Sequence, residues 1–306
     1  MKTPSLAAWL ERWLKSYAPL RCSPKTIERY SELSRYVVDG PTPELAGIAA
    51  APLGQLRHVE IELALLSLLP GLSAHTIRHI AGMLSSAFRR ASRLDLIAGN
   101  PMASVELPPC EPRDTRSLTP AELERLRDIC RGEWTFTFVE VAMATGCRRG
   151  EMLALEWRDI DWRDRLVTIS KSIEQTRAGL RVKRPKSGRV RIFHLPDVAI
   201  EALRSQRAFV HGRLVFPGDG DRPRRPDLVS QLIARRIHQA GIEGASLHSL
   251  RHTHATNLLS RGVPLPAISA RLGHADPTIT ARIYCHALPV DDARAAQEWD
   301  KLLKHA

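Results

Sequence analysis

Several features that mark membrane or secreted proteins are missing from this sequence. No stretch of 18 consecutive apolar residues occurs in its 306 residues, so no membrane-spanning helix is predicted. The five cysteines are scattered and odd in number, with no CxxC pair, which argues against a disulfide framework and a zinc ribbon. No secretory leader, internal repeat or low-complexity stretch is recognisable. These absences favour a soluble globular protein of the reducing cytoplasm.

Positive charge is present in excess. Lys and Arg number 45 against 33 Asp and Glu, which gives a net charge of +12 and a pI near 10.0. Residues 171–240 hold sixteen basic and six acidic side chains and so carry +10 of that excess. A run of charge is often only a solvated face, but a strongly basic chain also attracts polyanions at long range. Nucleic acid is therefore the first candidate partner.

Residues 1–107 are predicted to form a small helical domain. Apolar residues recur at three- and four-residue steps from Leu6 to Tyr17, which indicates an amphipathic helix. Ser23-Pro24 is a start signal for a second helix, and further helices are predicted over 61–69 and from Ser73.

A linker is predicted over 108–116, where three prolines and several charges replace the apolar periodicity. The first helix of the second domain, 117–289, is predicted to begin at Thr119-Pro120-Ala121-Glu122, a capping box with proline in the first turn. Its first part is predicted to be helical up to a break at Gly146. A separate amphipathic helix is predicted over 290–306.

A change of apolar period within the second domain predicts three short strands. They cover 166–170, 180–183 and 190–195, and a Pro-Lys-Ser-Gly turn is expected to join the last two as a hairpin. Helices are predicted again from Asp197 and near 226–240, 247–261, 264–272 and 276–285. The fold class is thus mainly α with a small antiparallel β-sheet.

The most informative residues lie near the C-terminus. They are His248-Ser249-Leu250-Arg251-His252, then Leu272-Gly273-His274, then a lone Tyr284. An arginine fork fits two phosphate oxygens, a histidine moves protons near neutral pH, and a phenol can form a phosphodiester. Two fixed guanidiniums and a protonated imidazole would oppose the charge of a phosphodiester in transition, with no metal required. The pattern predicts cleavage of a nucleic-acid backbone.

With two upstream residues added, the chain resembles the tyrosine recombinases, the phage integrase superfamily. The residues in order are Arg148, Lys186, His248, Arg251, His274 and Tyr284. The motifs cover about 117–287, and each of them alone is unspecific. The resemblance implies a mixed α/β catalytic domain preceded by a helical, SAM-like core-binding domain, which together clamp double-stranded DNA.

The resemblance also implies a role for each residue. Arg148 and Arg251 are expected to hold the scissile phosphate and Tyr284 to attack it. Lys186 is expected to protonate the leaving 5′ oxygen, and His248 to act as general base or proton relay. No cofactor or metal is expected, and strand exchange without ATP follows because the phosphotyrosine conserves the phosphodiester energy.

His274 is implied to be a phosphate donor that orients the site. Neighbouring residues of the same chemistry could fill two of these roles. Arg149 is an alternative to Arg148, and Lys183 and Arg184 are alternatives to Lys186. Single histidines are more often structural than catalytic.

The family resemblance further implies assembly as a homotetramer on two DNA duplexes. Residues 290–306 are expected to pass to a neighbouring protomer, with packing within the same protomer as the alternative. No additional arm-binding domain is recognisable before Ser5, which favours an Xer-like or mobile-element enzyme over a large phage integrase.

Three other functions fit parts of the sequence. A metal hydrolase would use histidines as ligands, namely His248, His252, His254, His274 and His286, but no HExxH carboxylate accompanies them. An inactive DNA-binding or architectural protein would show the same charge. A type IB topoisomerase-like relaxase would share the chemistry.

Overall fold

The structure, a computed structural model, describes residues 3–110, 116–274, 276 and 278. The chain divides into two compact units, residues 1–113 and 114–306. No helix in these described ranges is long and apolar enough to cross a membrane.

The first unit is built from helices around a common apolar core. They are α1 (Leu6–Ser16), α2 (Pro24–Val38), α3 (Pro43–Ala50), α4 (His58–Leu66) and α5 (Ala74–Ser92). Ser23 and Ser73 accept hydrogen bonds from the first turns of α2 and α5, as a side-chain cap should. Trp9 is fully buried, and its indole N–H donates to the carbonyl of Ala87 at 3.1 Å.

The helices predicted from Leu6, Pro24 and Ser73 are confirmed, and the helix predicted over 61–69 lies at 58–66. Helix α3 was not predicted because eight residues that include Gly47 give too short a periodic pattern.

The described parts of the predicted linker are held against the two units. Arg78 donates to the carbonyl of Pro108 at 2.9 and 3.1 Å, and Cys110 contacts His75. On the other side, Arg116 forms two bonds of 2.7 and 2.8 Å to Glu122. Residues 111–115 lie outside the described residues.

The second unit combines helices with short strands. The helices are α6 (Pro120–Cys130), α7 (Trp134–Thr145), α8 (Arg149–Leu153), α9 (Asp197–Phe209), α10 (Pro226–Gln239), α11 (Leu247–Ser260) and α12 (Leu265–Leu272). The strands are β1 (Ile160–Asp161), β2 (Leu166–Ile169), β3 (Ser172–Thr176), β4 (Gly179–Lys183) and β5 (Arg191–His194). The predicted capping box at Thr119 and Glu122 is confirmed. The predicted fold class, mainly helical with a small antiparallel sheet, is confirmed as well, and the strands form two such sheets.

The predicted pairing of the strands is wrong. β5 pairs with β2 in a sheet of order β1-β2-β5, whereas β4 pairs with β3 in a separate hairpin. A turn does close at 185–188, where Gly188 N–H donates to the carbonyl of Pro185 at 2.8 Å, but the strands on either side of it belong to different sheets.

Strand β3 escaped prediction because Ile173 is the only apolar residue in Ser-Ile-Glu-Gln-Thr. Its Glu174 is nevertheless buried, since Lys183 and Arg181 on β4 lie opposite and form ion pairs with it. Cross-strand charge pairing thus replaces the apolar alternation that a sequence pattern detects.

Candidate active site

Arg251 joins two helix ends in the interior of the second unit. Its guanidinium donates to the carbonyl of Gly146 at 2.5 Å and to that of Leu272 at 2.8 Å. These carbonyls lie at the C-terminal ends of α7 and α12, where the helix leaves acceptors without an intrahelical donor. Only 3% of Arg251 is exposed. The fold therefore fixes this guanidinium in one position.

Arg148 lies near Arg251, at the N-cap of α8. Its backbone N–H and its Nη1 donate to Glu151 at 2.9 and 3.1 Å, and its Nη2 donates to the carbonyl of Gly273 at 3.3 Å. The side chain stays 27% exposed, so the guanidinium borders solvent. Arg149 points elsewhere and donates to Ser230 on α10. Of the two adjacent arginines, only Arg148 belongs to the same cluster as Arg251, the group of linked side chains at the ends of α7 and α12.

His274 follows the left-handed Gly273 and contacts Arg251. The distance between Arg251 Nη2 and His274 Nε2 is 2.9 Å, and because a guanidinium can only donate, Nε2 is the acceptor and Nδ1 carries the hydrogen. Burial, followed by the charges of Arg251 and Arg148, lowers the pKa of His274 to about 4. A neutral His274 can donate from Nδ1, and the protonated imidazole expected beside a phosphodiester stays a prediction.

His248 and His252 lie on the first turns of α11. Their rings meet edge to face with centroids 4.9 Å apart. Partial desolvation, followed by the charges of Arg251 and Arg148, lowers the pKa of His248, which keeps part of its surface exposed to solvent. His248 is consequently in its base form at neutral pH and can accept a proton. Burial lowers the pKa of His252 to about 4, in keeping with a structural role.

His254 has structural partners on both ring nitrogens. Its Nδ1 lies 2.7 Å from the carbonyl of Met143, and its Nε2 accepts a 3.2 Å hydrogen bond from Arg271. Arg271 also donates to the carbonyls of Ala144 and His194 at 2.8 and 3.0 Å. The pair ties the end of α12 to α7 and β5, and it leaves no imidazole nitrogen for a metal.

Within the described ranges, no group of three or more His, Cys, Asp or Glu side chains is placed to hold a metal ion. The cluster instead contains arginines and imidazoles, which can donate hydrogen bonds to an anion.

Lys186 lies on the turn at 185–188 and is exposed, and among the described residues no hydrogen bond or ion pair involves its side chain. Its neighbour Lys183 pairs with Glu174 in the β3–β4 hairpin, whereas Arg184 is exposed. Tyr284, the helix predicted over 276–285 and the helix predicted over 290–306 fall on residues that the structure does not describe, apart from 276 and 278.

Two residues of the cluster were missed in the sequence. Glu151, which is 1% exposed, accepts from Arg148 and also from Arg191, which is 7% exposed. Glu151 lies three residues after Arg148, the position from which a carboxylate reaches back to the N-cap backbone N–H, and this spacing could have revealed the first. No local pattern identifies Arg191, because its partner lies 40 residues away.

Gly146 is expected to tolerate no side chain. Its φ is +63°, and a Cβ there would lie 2.7 Å from both His254 Cδ2 and Leu272 Cδ2. We expect Gly146→Ala to lower the free energy of unfolding by about 2–4 kcal/mol, from backbone strain plus overpacking. Gly132 also has a positive φ, +82°, but open space around it. In urea titrations of the full chain, Gly132→Ala should lose only the strain, about 1–2 kcal/mol; equal losses in the two variants would contradict the clash.

The second unit is expected to lose stability as the pH falls below about 6.5. Burial, followed by the charge of Arg271, lowers the pKa of His254 from an ordinary 6.5 to about 4. Between these values the unfolded chain binds a proton that the folded chain does not, so acidification favours unfolding. One such histidine changes the free energy of unfolding by about 1.4 kcal/mol per pH unit.

His254→Gln keeps a donor and an acceptor but cannot titrate. Thermal unfolding midpoints at pH 7.5 and 5.5 should therefore fall less in this variant than in the wild type. His238→Gln, at an exposed position on α10, is the matched control and should keep the wild-type slope. If the two variants behave alike, protonation of His254 does not set the acid sensitivity.

The chain is similar to known proteins of one family. A model of the phage integrase family matches residues 116–290, and the chain belongs to that family. It is 26% identical over 263 residues to a XerC-like tyrosine recombinase of Caldanaerobacter subterraneus subsp. tengcongensis, covering 76% of this chain and 67% of that protein. The ICEBs1 integrase of Bacillus subtilis is 27% identical over 247 residues, with the same coverage of 76% and 67%.

Solved structures share the fold of the chain. The Tn1549 transposon integrase, in complex with a circular intermediate DNA, matches with a TM-score of 0.82 at 20% identity and covers 96% of this chain and 99% of its own. A lambda integrase tetramer bound to a Holliday junction matches with a TM-score of 0.72 at 22% identity, over 92% and 77% of the two chains. Both units thus have the fold of integrases.

Proposed function

We propose that this chain is a site-specific DNA recombinase that cleaves and rejoins strands through a covalent bond between Tyr284 and a 3′-phosphate. The observation that carries the proposal is the linked set of Arg148, Arg251 and His274, whose side chains can donate hydrogen bonds to a phosphate. Backbone carbonyls and the buried carboxylate of Glu151 hold the two arginines, and Arg251 holds the ring of His274. Preorganised donors of this kind stabilise charge that develops on phosphate oxygens.

The reaction follows from the residues as a balanced displacement. The phenol oxygen of Tyr284 forms a bond to phosphorus while its proton passes to neutral His248. The bond from phosphorus to the 5′ oxygen breaks, and Lys186 supplies a proton to that oxygen. Attack by another 5′-hydroxyl reverses each transfer and releases Tyr284, so rejoining needs neither ATP nor a metal.

Double-stranded DNA is the proposed substrate, because the net charge of +12 favours a polyanion and relatives of this fold are solved on DNA. We also propose that the chain acts as a homotetramer on two duplexes, as the lambda integrase does on a Holliday junction.

The test is covalent trapping on DNA. Nicked fragments from the genomic region flanking the gene would be incubated with the purified protein, so that the short cleaved strand diffuses away and the adduct persists. We expect an SDS-stable complex that forms equally in EDTA, with the DNA attached to the peptide that contains Tyr284. Binding without any adduct would favour an architectural protein, and dependence on a metal would favour a hydrolase.

A further inference from the structure

Arg191 is a buried charge that the proposed reaction does not use directly. It is the first residue of β5 and lies five residues after Lys186, on the far side of the 185–188 turn. We propose that Arg191 is a positioning residue that acts through Glu151, so that the charge of Arg148 remains available to the scissile phosphate. This inference rests on the proposed recombinase function.

Glu151 accepts hydrogen bonds from both Arg191 and Arg148. Arg191 donates from Nη1 and Nη2 to the two carboxylate oxygens at 3.1 and 2.8 Å. The same two oxygens accept from Nη1 and the backbone N–H of Arg148 at 3.1 and 2.9 Å. Four donors therefore surround a carboxylate whose side chain is fully buried.

Glu151 carries a buried negative charge. A buried carboxylate must be compensated by a nearby cation, and breaking such a pair from one side leaves an uncompensated charge. Burial would raise the pKa of Glu151, yet the hydrogen bonds and charge of Arg191, with those of Arg148, hold it below its ordinary value. With Arg191 as the main partner, Glu151 does not need the whole charge of Arg148.

Arg191 also contacts the turn that precedes His274. A Cβ on Gly273 would lie 2.7 Å from Arg191 Cδ and 2.8 Å from its Cζ, so the guanidinium packs directly on the glycine backbone. Gly273 in turn accepts from Arg148 through its carbonyl and precedes His274. Arg191 therefore supports both the carboxylate that holds Arg148 and the turn that places His274.

Single-turnover cleavage of a nicked DNA substrate at saturating protein tests the proposal. We expect Arg191→Met to slow formation of the covalent adduct about 100-fold, because small displacements of a positioned group cost this much. Affinity for the same DNA should change less than about threefold, and Arg191→Lys should restore part of the rate. Arg131→Met is the matched control, since Arg131 forms an exposed pair with Asp128, and it should cleave at the wild-type rate.

A double variant separates action through Glu151 from a merely structural role. Glu151→Gln together with Arg191→Met removes both buried charges, so we expect it to fold and to cleave about tenfold faster than Arg191→Met alone. If Arg191→Met does not fold, the cleavage rates of Arg191→Lys and of the double variant test the proposal in its place.

Wild-type cleavage by Arg191→Met, or a double variant no faster than the single one, would overturn the positioning role and leave the recombinase proposal intact. A wild-type protein that forms no adduct would overturn the recombinase proposal itself, and this inference with it.

Discussion

Replacing Tyr284 by phenylalanine is expected to abolish the covalent adduct with DNA. Phenylalanine has the same ring but no oxygen, so no phosphodiester to the protein can form. We expect the rate of strand cleavage to fall by at least about 10⁴-fold, as it does when a covalent nucleophile is removed. Affinity for DNA should stay within about fivefold, because the net contribution of a neutral hydrogen bond is only about 1 kcal/mol.

The measurement is the fraction of nicked substrate held in an SDS-stable complex, with DNA affinity determined on the same fragment. Tyr36→Phe, at an exposed tyrosine of α2 in the first unit, is the matched control and should form the adduct as the wild type does. An adduct that persists in Tyr284→Phe would show that another side chain is the nucleophile.

Replacing Arg251 by methionine is expected to impair both cleavage and folding. Cleavage should slow about 10³-fold, since removing one preorganised donor from an oxyanion site costs this much. The free energy of unfolding should fall by about 3 kcal/mol, because the carbonyls of Gly146 and Leu272 lose a charged donor in the interior.

Two further variants make the Arg251 prediction specific. Arg251→Lys keeps the charge but offers a point donor in place of a planar fork, so we expect it to recover stability more than cleavage. Arg261→Met, at the exposed end of the same helix, should change neither quantity. Urea titration measures stability, and single-turnover cleavage measures the rate. Wild-type stability in Arg251→Met would contradict a stabilising role for the hydrogen bonds from Arg251 to the ends of α7 and α12.

Local signals made most of the fold predictable. Serine and threonine caps before Pro24, Ala74 and Pro120 define helix starts within a few residues, and apolar periodicity defines the buried faces. Strand pairing was not predictable in the same way. The turn at 185–188 forms as its residues indicate, but turn chemistry does not decide which distant strand β5 joins.

The sequence by itself determined the chemical identity and order of the candidate catalytic residues, and with them the family, because side-chain chemistry and spacing are properties of the chain. Only the tertiary structure decided which arginine of Arg148 and Arg149 joins the cluster, that burial and two arginines lower the pKa of His274, and that Glu151 and Arg191 lie beside Arg148. The physical reason is that burial and contacts between residues far apart in the chain set hydrogen-bond partners and pKa values, and neither can be read from neighbouring residues.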